Sequence, residues 1–397
     1  MKTNKWLMFA VVYICSATVA VSQLKIPPIV PLIAASLNIT VSRVGWLMAL
    51  FTIAGIVLAI PGGSIMSKLG PKRLLIFLMG CVTIGNFLGA KANNFNLLLV
   101  SRSIEGIAFS MIMTVSIYII QAIFSDGGAG LAVGIYNTFF PASSFLTLNT
   151  CRPIAAALGY SSLWVITGLL GCVCLILVGL MPAVPGTASE TATGAMGFKL
   201  VAKNGRIWLL AASMGVVAFM MLVCLSTYPF WFENLYRLDA DTANFYASLN
   251  GLAGIPCSIF AGMLVDKTKK PYLLYILGLA GLVITALTFD LLGPKTYPIH
   301  PLFSSLCGSV SMTTIFYLAP QLAVKPEYAG YCIAFVNQVY FMGDFASAPV
   351  ILRVIEQWGF TAAKYLMTVI TIIGVVLAVS QLVLAKISPA QSMDQPC

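Results

Sequence analysis

The feature that most narrows the possible folds is a short, glycine-rich basic hairpin between two long apolar runs, used again half a chain later. It reads Gly62-Gly63-Ser64-Ile65-Met66-Ser67-Lys68-Leu69-Gly70-Pro71-Lys72-Arg73 and returns, altered, as Ala261-Gly262-Met263-Leu264-Val265-Asp266-Lys267-Thr268-Lys269-Lys270-Pro271. A shift of 199 residues carries Gly63 to Gly262, Lys68 to Lys267, Ala54-Gly55-Ile56 to Ala253-Gly254-Ile255, and Leu74-Leu75 to Leu273-Leu274. In a chain of 397 residues that shift is half the length, so the sequence reads as one helical plan written twice.

The medium follows from what surrounds the hairpins. Hydrophobic residues make up 59% of the chain, charged residues 9%, and mean hydropathy is +0.96, values of a polytopic membrane protein. At roughly 20 apolar residues per span, about twelve helices fit if loops are short. The expected spans are 6–35, 44–66, 74–89, 97–124, 131–158 and 163–181, then 207–232, 242–265, 272–292, 301–322, 328–355 and 361–384. The fold class is therefore all-α, with two pseudo-symmetric six-helix bundles over residues 1–182 and 207–397. The stretch 183–206, rich in Gly, Ala, Thr and Ser, reads as a linker. Ala20 imitates a signal-peptidase site, but cleavage there would remove half of the first span and unbalance the repeat, so that span is read as retained.

The formal charge of +10 is spread over loops, which makes it a signal of orientation and not of nucleic-acid binding. Lys2, Lys5, Lys68, Lys72, Arg73, Lys199, Lys203, Arg206, Lys267, Lys269, Lys270, Lys325 and Lys386 fall on the side of the hairpins and termini. Arg43, Lys91, Arg237, Lys295, Arg353 and Lys364 fall on the other. The basic side is expected to be cytoplasmic, in a bacterial inner membrane, with both termini there. The six tryptophans, Trp6, Trp46, Trp164, Trp208, Trp231 and Trp358, all lie near expected helix ends and read as interfacial belts.

Enzyme chemistry has little to build on. The ten cysteines fall almost entirely in apolar spans without a CxxC pair and read as small hydrophobes. The single histidine, His300, stands in an expected outer loop. No Gly-rich phosphate loop of the ATPase type occurs, and no cofactor is called for.

Attention thus falls on charges at membrane depth, each of which costs kilocalories unless it faces a partner or a wet cavity. They are Lys25, Arg102, Glu105, Arg152 and Asp344, accompanied by the neutral polar groups Asn250, Asn337 and Gln338. Lys25 precedes Pro27-Pro28 and Pro31, which remove backbone donors and should break the helix. A deep cation beside a broken helix suits an anion, with Arg152 or Arg102 as a second contact. Alternatively Lys25 neutralises Glu105 or Asp344, Glu105 pairs with Arg102 one turn away, and Arg152 snorkels to the interface. Asp344 and Glu105 are candidates for a coupling proton or, equally, fixed counter-ions.

Twelve spans in two sixes, hairpins between spans two and three and between eight and nine, and a central linker resemble the major facilitator superfamily over essentially the whole chain. That family's hairpin signature, Gly-x-x-x-Asp-(Arg/Lys)-x-Gly-(Arg/Lys)-(Arg/Lys), is answered by Gly63, Lys68, Gly70, Lys72 and Arg73, with Ser67 in the acidic place. In the second half Gly262, Asp266 and Lys267 answer it, with Lys269 in place of the second glycine. The resemblance implies gating hairpins that latch the halves on the inner side, and Ser67 weakens the first latch. Arg102-Ser103-Ile104-Glu105-Gly106 matches the family's Arg-x-x-x-Gly, whose arginine faces the cavity and is tied to proton coupling. The segment Leu24-Lys25-Ile26-Pro27-Pro28 is similar, at a different spacing, to the Arg-Pro segment of cyanate and nitrate/nitrite-type porters.

What the resemblance implies is a secondary transporter working by alternating access, without enzymatic activity, as a monomer in the bilayer. The expected solute is a small anion moved with H+. Proton-driven efflux of lipophilic compounds is the alternative, although the family's Gly-Pro antiporter run is replaced here by Pro141-Ala142-Ser143-Ser144 and Asn149-Thr150-Cys151-Arg152-Pro153. A non-transporting solute receptor is the remaining one.

Overall fold

The computed structural model describes residues 5–58, 65–66, 69–125, 132, 135–182, 184, 201–323 and 329–387. Gly63 and Lys68 of the first hairpin, and most of the linker, lie outside the described residues, and for Asp266 only the helical backbone is described. Among the described residues there is no strand.

The first span is α1 (Lys5–Leu24), a 3-10 turn at Pro27–Ile29, and α2 (Val30–Leu37). It is followed by α3 (Val41–Leu58), α4 (Pro71–Ala90), α5 (Phe95–Ile123), α6 (Phe139–Leu158) and α7 (Ser161–Leu180). The second set is α8 (Gly205–Asn234), α9 (Ala240–Thr268), α10 (Pro271–Leu287) and α11 (Ile299–Leu318). The final stretch Ala329–Ile387 is helical on both sides of Gly359, whose φ of 80° turns the chain back, giving α12 (329–358) and α13 (360–387). Among the described residues nine helices are long and apolar enough to cross a membrane, and one of them, Tyr331–Lys386, is this double span. With α10, which is 17 residues long, and α6, whose Asn149, Thr150 and Arg152 lower its hydropathy, the described helices match the twelve expected spans approximately.

Local chemistry fixes where the helices start. Asn94 accepts from Leu97 N at 2.9 Å, Asn204 from Arg206 N at 3.0 Å, and Asp239 from Thr242 N at 2.9 Å. The last of these N–H groups holds the exposed Asp239 carboxyl below its usual range. Pro71 and Pro271 open α4 and α10, where a missing N–H costs nothing.

The duplication seen in the sequence is carried by the backbone. Among the described residues, the six with left-handed φ fall into pairs 199 or 200 apart: Asn38 with Arg237, Gly70 with Lys269, and Gly159 with Gly359. Val41 and Ala240, the first residues of α3 and α9, stand 199 apart as well.

The halves meet along two seams, α3 on α12 and α6 on α9. Both are tight enough to demand glycine. A Cβ on Gly45 of α3 would lie 3.0 Å from the Ala348 carbonyl carbon, and one on Gly251 of α9 would lie 2.5 Å from Ser144 Oγ. The largest apolar core belongs to the second half and takes in Leu24 and Leu148 from the first.

Candidate functional site

The break in the first span organises the site. Pro27 has no N–H for the Gln23 carbonyl, and Pro28 none for Leu24, so α1 ends with carbonyls that lack their helical donors. Arg102 of α5 supplies donors to two carbonyls at this end, those of Ser22 and Gln23. Its Nη1 donates to Ser22 O at 2.6 Å, its Nη2 to Gln23 O at 3.4 Å, and its Nε to Leu47 O of α3 at 3.0 Å. A cation at the C-terminal end of α1 is also favoured by the helix dipole. Arg102 is fully buried, its guanidinium carbon 4.1 Å from the centre of the Phe51 ring.

Lys25, the first residue past α1, turns into the first half's own core. Its Nζ donates to Asn86 Oδ1 of α4 at 2.5 Å and to Glu105 Oε2 at 3.0 Å, and it lies 4.3 Å from the centre of the Trp164 ring. Glu105 also accepts from Arg102 Nη1 at 2.6 Å, Ser22 Oγ at 2.5 Å, Ser101 Oγ at 2.8 Å and Trp164 Nε1 at 3.2 Å. Lys25, Arg102 and Glu105 are each 0% exposed. Two cations thus share one carboxylate, and all three charges are enclosed within the first half.

Asp344 is elsewhere. On α12, Gln338, Phe341, Phe345 and Ala348 face α3: Gln338 Nε2 donates to Ile56 O at 3.0 Å, the Phe341 ring lies over Gly55, and Phe345 meets Trp46. Val339 and Gly343 face Gly215 of α8. Between these two faces, at helical spacing, runs the stripe Ile333, Asn337, Tyr340, Asp344, which therefore looks into the cleft between the halves. Exposure along it falls from 39% at Ile333, through half-buried Asn337 and Tyr340, to 6% at Asp344 and 0% at Ile351. Along this stripe exposure is greatest toward the basic side and is lost beyond Asp344. Asp344 Oδ2 is buried and has no hydrogen-bond partner among the described residues.

The far side is tied shut across the halves. Arg152 of α6 forms an ion pair with Glu233 of α8 at 3.1 Å, and Ser42 N at the start of α3 donates to Glu356 of α12 at 3.3 Å. Arg152 accordingly faces a partner on the opposite half and is not among the groups that bond Lys25, Arg102 or Glu105.

Other expected positions have local duties. Asn250 donates to Pro301 O at 3.1 Å and Ser304 Oγ at 3.3 Å, bracing α9 on α11 within the second half. Lys72 donates to Gly179 O at 3.0 Å and to Met181 O, capping the end of α7, while Arg73 and Lys267 are exposed and Gly262 has open space around it. His300 is not in a loop: it opens α11, is 6% exposed, accepts from the Tyr228 hydroxyl at 2.9 Å and donates from Nε2 to Thr285 O at 3.0 Å. The belt reading holds for Trp6, Trp46, Trp208 and Trp358, which are exposed, but Trp164 and Trp231 are buried inside their halves. Proximity to a helix end places a tryptophan at a depth, and only packing decides whether it faces lipid.

Asn86, Ser22, Glu233 and Glu356 were not singled out in the sequence, and Trp164 only as a belt residue. Asn86 carried a signal, as the lone amide in the middle of an apolar span. The two glutamates lie at helix ends, where a charge needs no explanation.

The family description "Major Facilitator Superfamily" matches residues 7–348. The chain belongs to that family. An uncharacterized MFS-type transporter of Bacillus subtilis (strain 168), YbcL, is 22% identical over 345 residues, 85% of each chain. The probable nitrate transporter NarT of Staphylococcus carnosus is 31% identical over 140 residues, 34% of this chain and 35% of that one. The multidrug efflux pump LfrA of Mycolicibacterium smegmatis is 27% identical over 145 residues, 36% and 29%. Among solved structures, a mutant of the nucleoside transporter NupG superposes with a TM-score of 0.79 at 12% identity, covering 96% of this chain and 99% of that one, a likeness of fold. This major facilitator protein is thus a multi-pass membrane transporter of small solutes.

Proposed function

We propose that this transporter is proton-coupled, that Asp344 carries the coupling proton, and that its solute is a neutral or cationic organic molecule entering a cleft open to the cytoplasm. The observation that carries the reading is Asp344 itself: an unpartnered carboxylate at the closed end of the cleft-facing stripe. An ionised carboxylate enclosed there without a partner costs several kilocalories per mole. It must gain a proton or a cation before the cleft closes over it, which is the alternation a coupled transporter needs. The cations expected to draw in an anion, Lys25 and Arg102, are enclosed with Glu105 and Asn86.

A second reading keeps the small anion. It draws support from the surplus of one cation in the Lys25, Arg102 and Glu105 cluster and from the likeness to NarT. Reconstitution separates the two. Proteoliposomes with a trapped pH dye and an imposed proton gradient are offered organic cations, neutral compounds and small anions in turn. The expected result is gradient collapse with a cationic or neutral solute, lost in Asp344→Asn. Collapse with anions alone, unchanged in Asp344→Asn and lost in Lys25→Ala, would overturn the proposal in favour of the second reading.

A further inference from the structure

Resting on that reading of Asp344, we infer that the solute is an organic cation with an aromatic or broad apolar body, and that Tyr340 is the residue selecting the body. Tyr340 is one helical turn from Asp344 on the cleft-facing stripe and half-buried, so its ring is reachable from the open side while the carboxylate lies just beyond it. It is the near end of a run of rings. Tyr340 packs edge-on against Phe341 at 5.7 Å between centres, Phe341 against Phe109 of α5 at 5.8 Å, and Phe109 against Phe51 at 5.3 Å. Phe109 is half-buried, and Met113, one turn nearer the basic side on the same face of α5, is 51% exposed.

A solute climbing this cleft therefore meets a thioether, then ring faces and edges, then a single carboxylate. No lysine or arginine occurs on the stripe of Ile333, Asn337, Tyr340 and Asp344. Ring faces attract cations and stack on flat apolar bodies, and methionine adapts to varied shapes. The chemistry matches a molecule whose positive charge goes to Asp344 and whose body lies on Tyr340. A small inorganic anion would find no cation on this stripe, only the Asn337 amide and the Tyr340 hydroxyl, and would have no use for the rings. Charge and body are thus read by different residues, which makes the inference separable from the proton reading.

The test is equilibrium binding of two cations of equal charge, tetraphenylphosphonium and tetrapropylammonium, to purified protein in detergent, with proton flux followed in parallel in proteoliposomes. Tyr340→Leu is expected to weaken the aromatic cation about three- to tenfold and the aliphatic one less than twofold, the worth of one ring contact. Tyr340→Phe keeps the ring and should bind both as the parent does, which also shows that the position tolerates change. Asp344→Asn should weaken both by more than tenfold. Equal losses for the two cations in Tyr340→Leu, or a Tyr340→Phe variant as weak as Tyr340→Leu, would overturn the role of the ring. Binding of neither cation, alongside Asp344-dependent proton flux with another solute, would overturn the solute class and leave the proton reading standing. Flux indifferent to Asp344→Asn would remove both.

Discussion

In the first half, Lys25 at the end of α1, Asn86 of α4 and Glu105 of α5 meet in an ionic cluster. Moved 199 residues along, the same three places hold Cys224 of α8, Thr285 of α10 and Ser304 of α11, with His300 where Ser101 stands. There the first, third and fourth helices of the half are tied by neutral groups: Tyr228 to His300, His300 to Thr285 O, and Ser304 to the neighbouring Asn250. The counterpart of Arg102 is Pro301. The break itself follows the proline pair: Pro27-Pro28 are matched by Ser226-Thr227, and α8 runs unbroken for 30 residues with Pro229 within it. Only the half with the break has a guanidinium placed to bond the carbonyls at the end of its first helix. The charge and the break belong together, and both are in the half that faces Asp344 across the cleft.

The sharpest way to break this comparison is Glu105→Gln. It leaves two buried cations around a neutral amide, and removing one partner from a buried ionic cluster costs about 3–5 kcal/mol. Thermal unfolding in detergent should show the largest loss among the variants considered. Lys25→Met should cost far less, because Arg102 and Glu105 remain as a one-to-one pair at 2.6 Å, and in the double variant it should recover part of what Glu105→Gln loses. If Lys25→Met is as damaging as Glu105→Gln, the cluster has no surplus charge and the contrast between the halves is misdrawn.

These residues also mark how far the sequence could be read. The 199-residue repeat, the break at Pro27-Pro28 and the depth of Lys25, Arg102, Glu105 and Asp344 are all visible there, because composition and spacing report position along a span. Direction around a helix is not visible. Each residue turns the side chain by about 100°, so a shift of one position separates Asp344, in the cleft, from Phe345, against Trp46. For the same reason the sequence left Lys25 open between a cleft contact and a partner in Glu105 or Asp344, and it faces Glu105, while Trp164 and His300 looked peripheral and are buried. Glu233 escaped notice because its partner Arg152 is on the other half, and nothing in a linear chain announces that contact.

The second half offers the next test. Tyr228→Phe removes the hydroxyl that serves His300 Nδ1 and keeps the ring stacked 5.1 Å from Phe289. A neutral hydrogen bond is worth about 0.5–1.5 kcal/mol, and a buried acceptor left unpaired about 1–3, so the loss should be a fraction of that for Glu105→Gln. A loss of equal size would mean that the neutral cluster is as highly strung as the ionic one.

The smallest expected effect on stability concerns the tie between the halves. The side chains of Arg152 and Glu233 are 23% and 29% exposed, so water and salt screen their attraction, and such a pair contributes about 0–1 kcal/mol. Glu233→Gln should therefore leave unfolding almost unchanged. The same energy acts differently on the balance between closed and open states of the far side, because only the closed state brings Arg152 to Glu233. A difference of about 1 kcal/mol changes that ratio roughly fivefold, enough to move a minor open state into the measurable range. Spin labels at Leu158 and Trp358, both exposed at the far ends of α6 and α12, would report it as a longer distance gaining population. An unchanged distance distribution would assign the closure to the packed seams at Gly45 and Gly251 and to the Ser42 to Glu356 contact, with the ion pair a passenger on them.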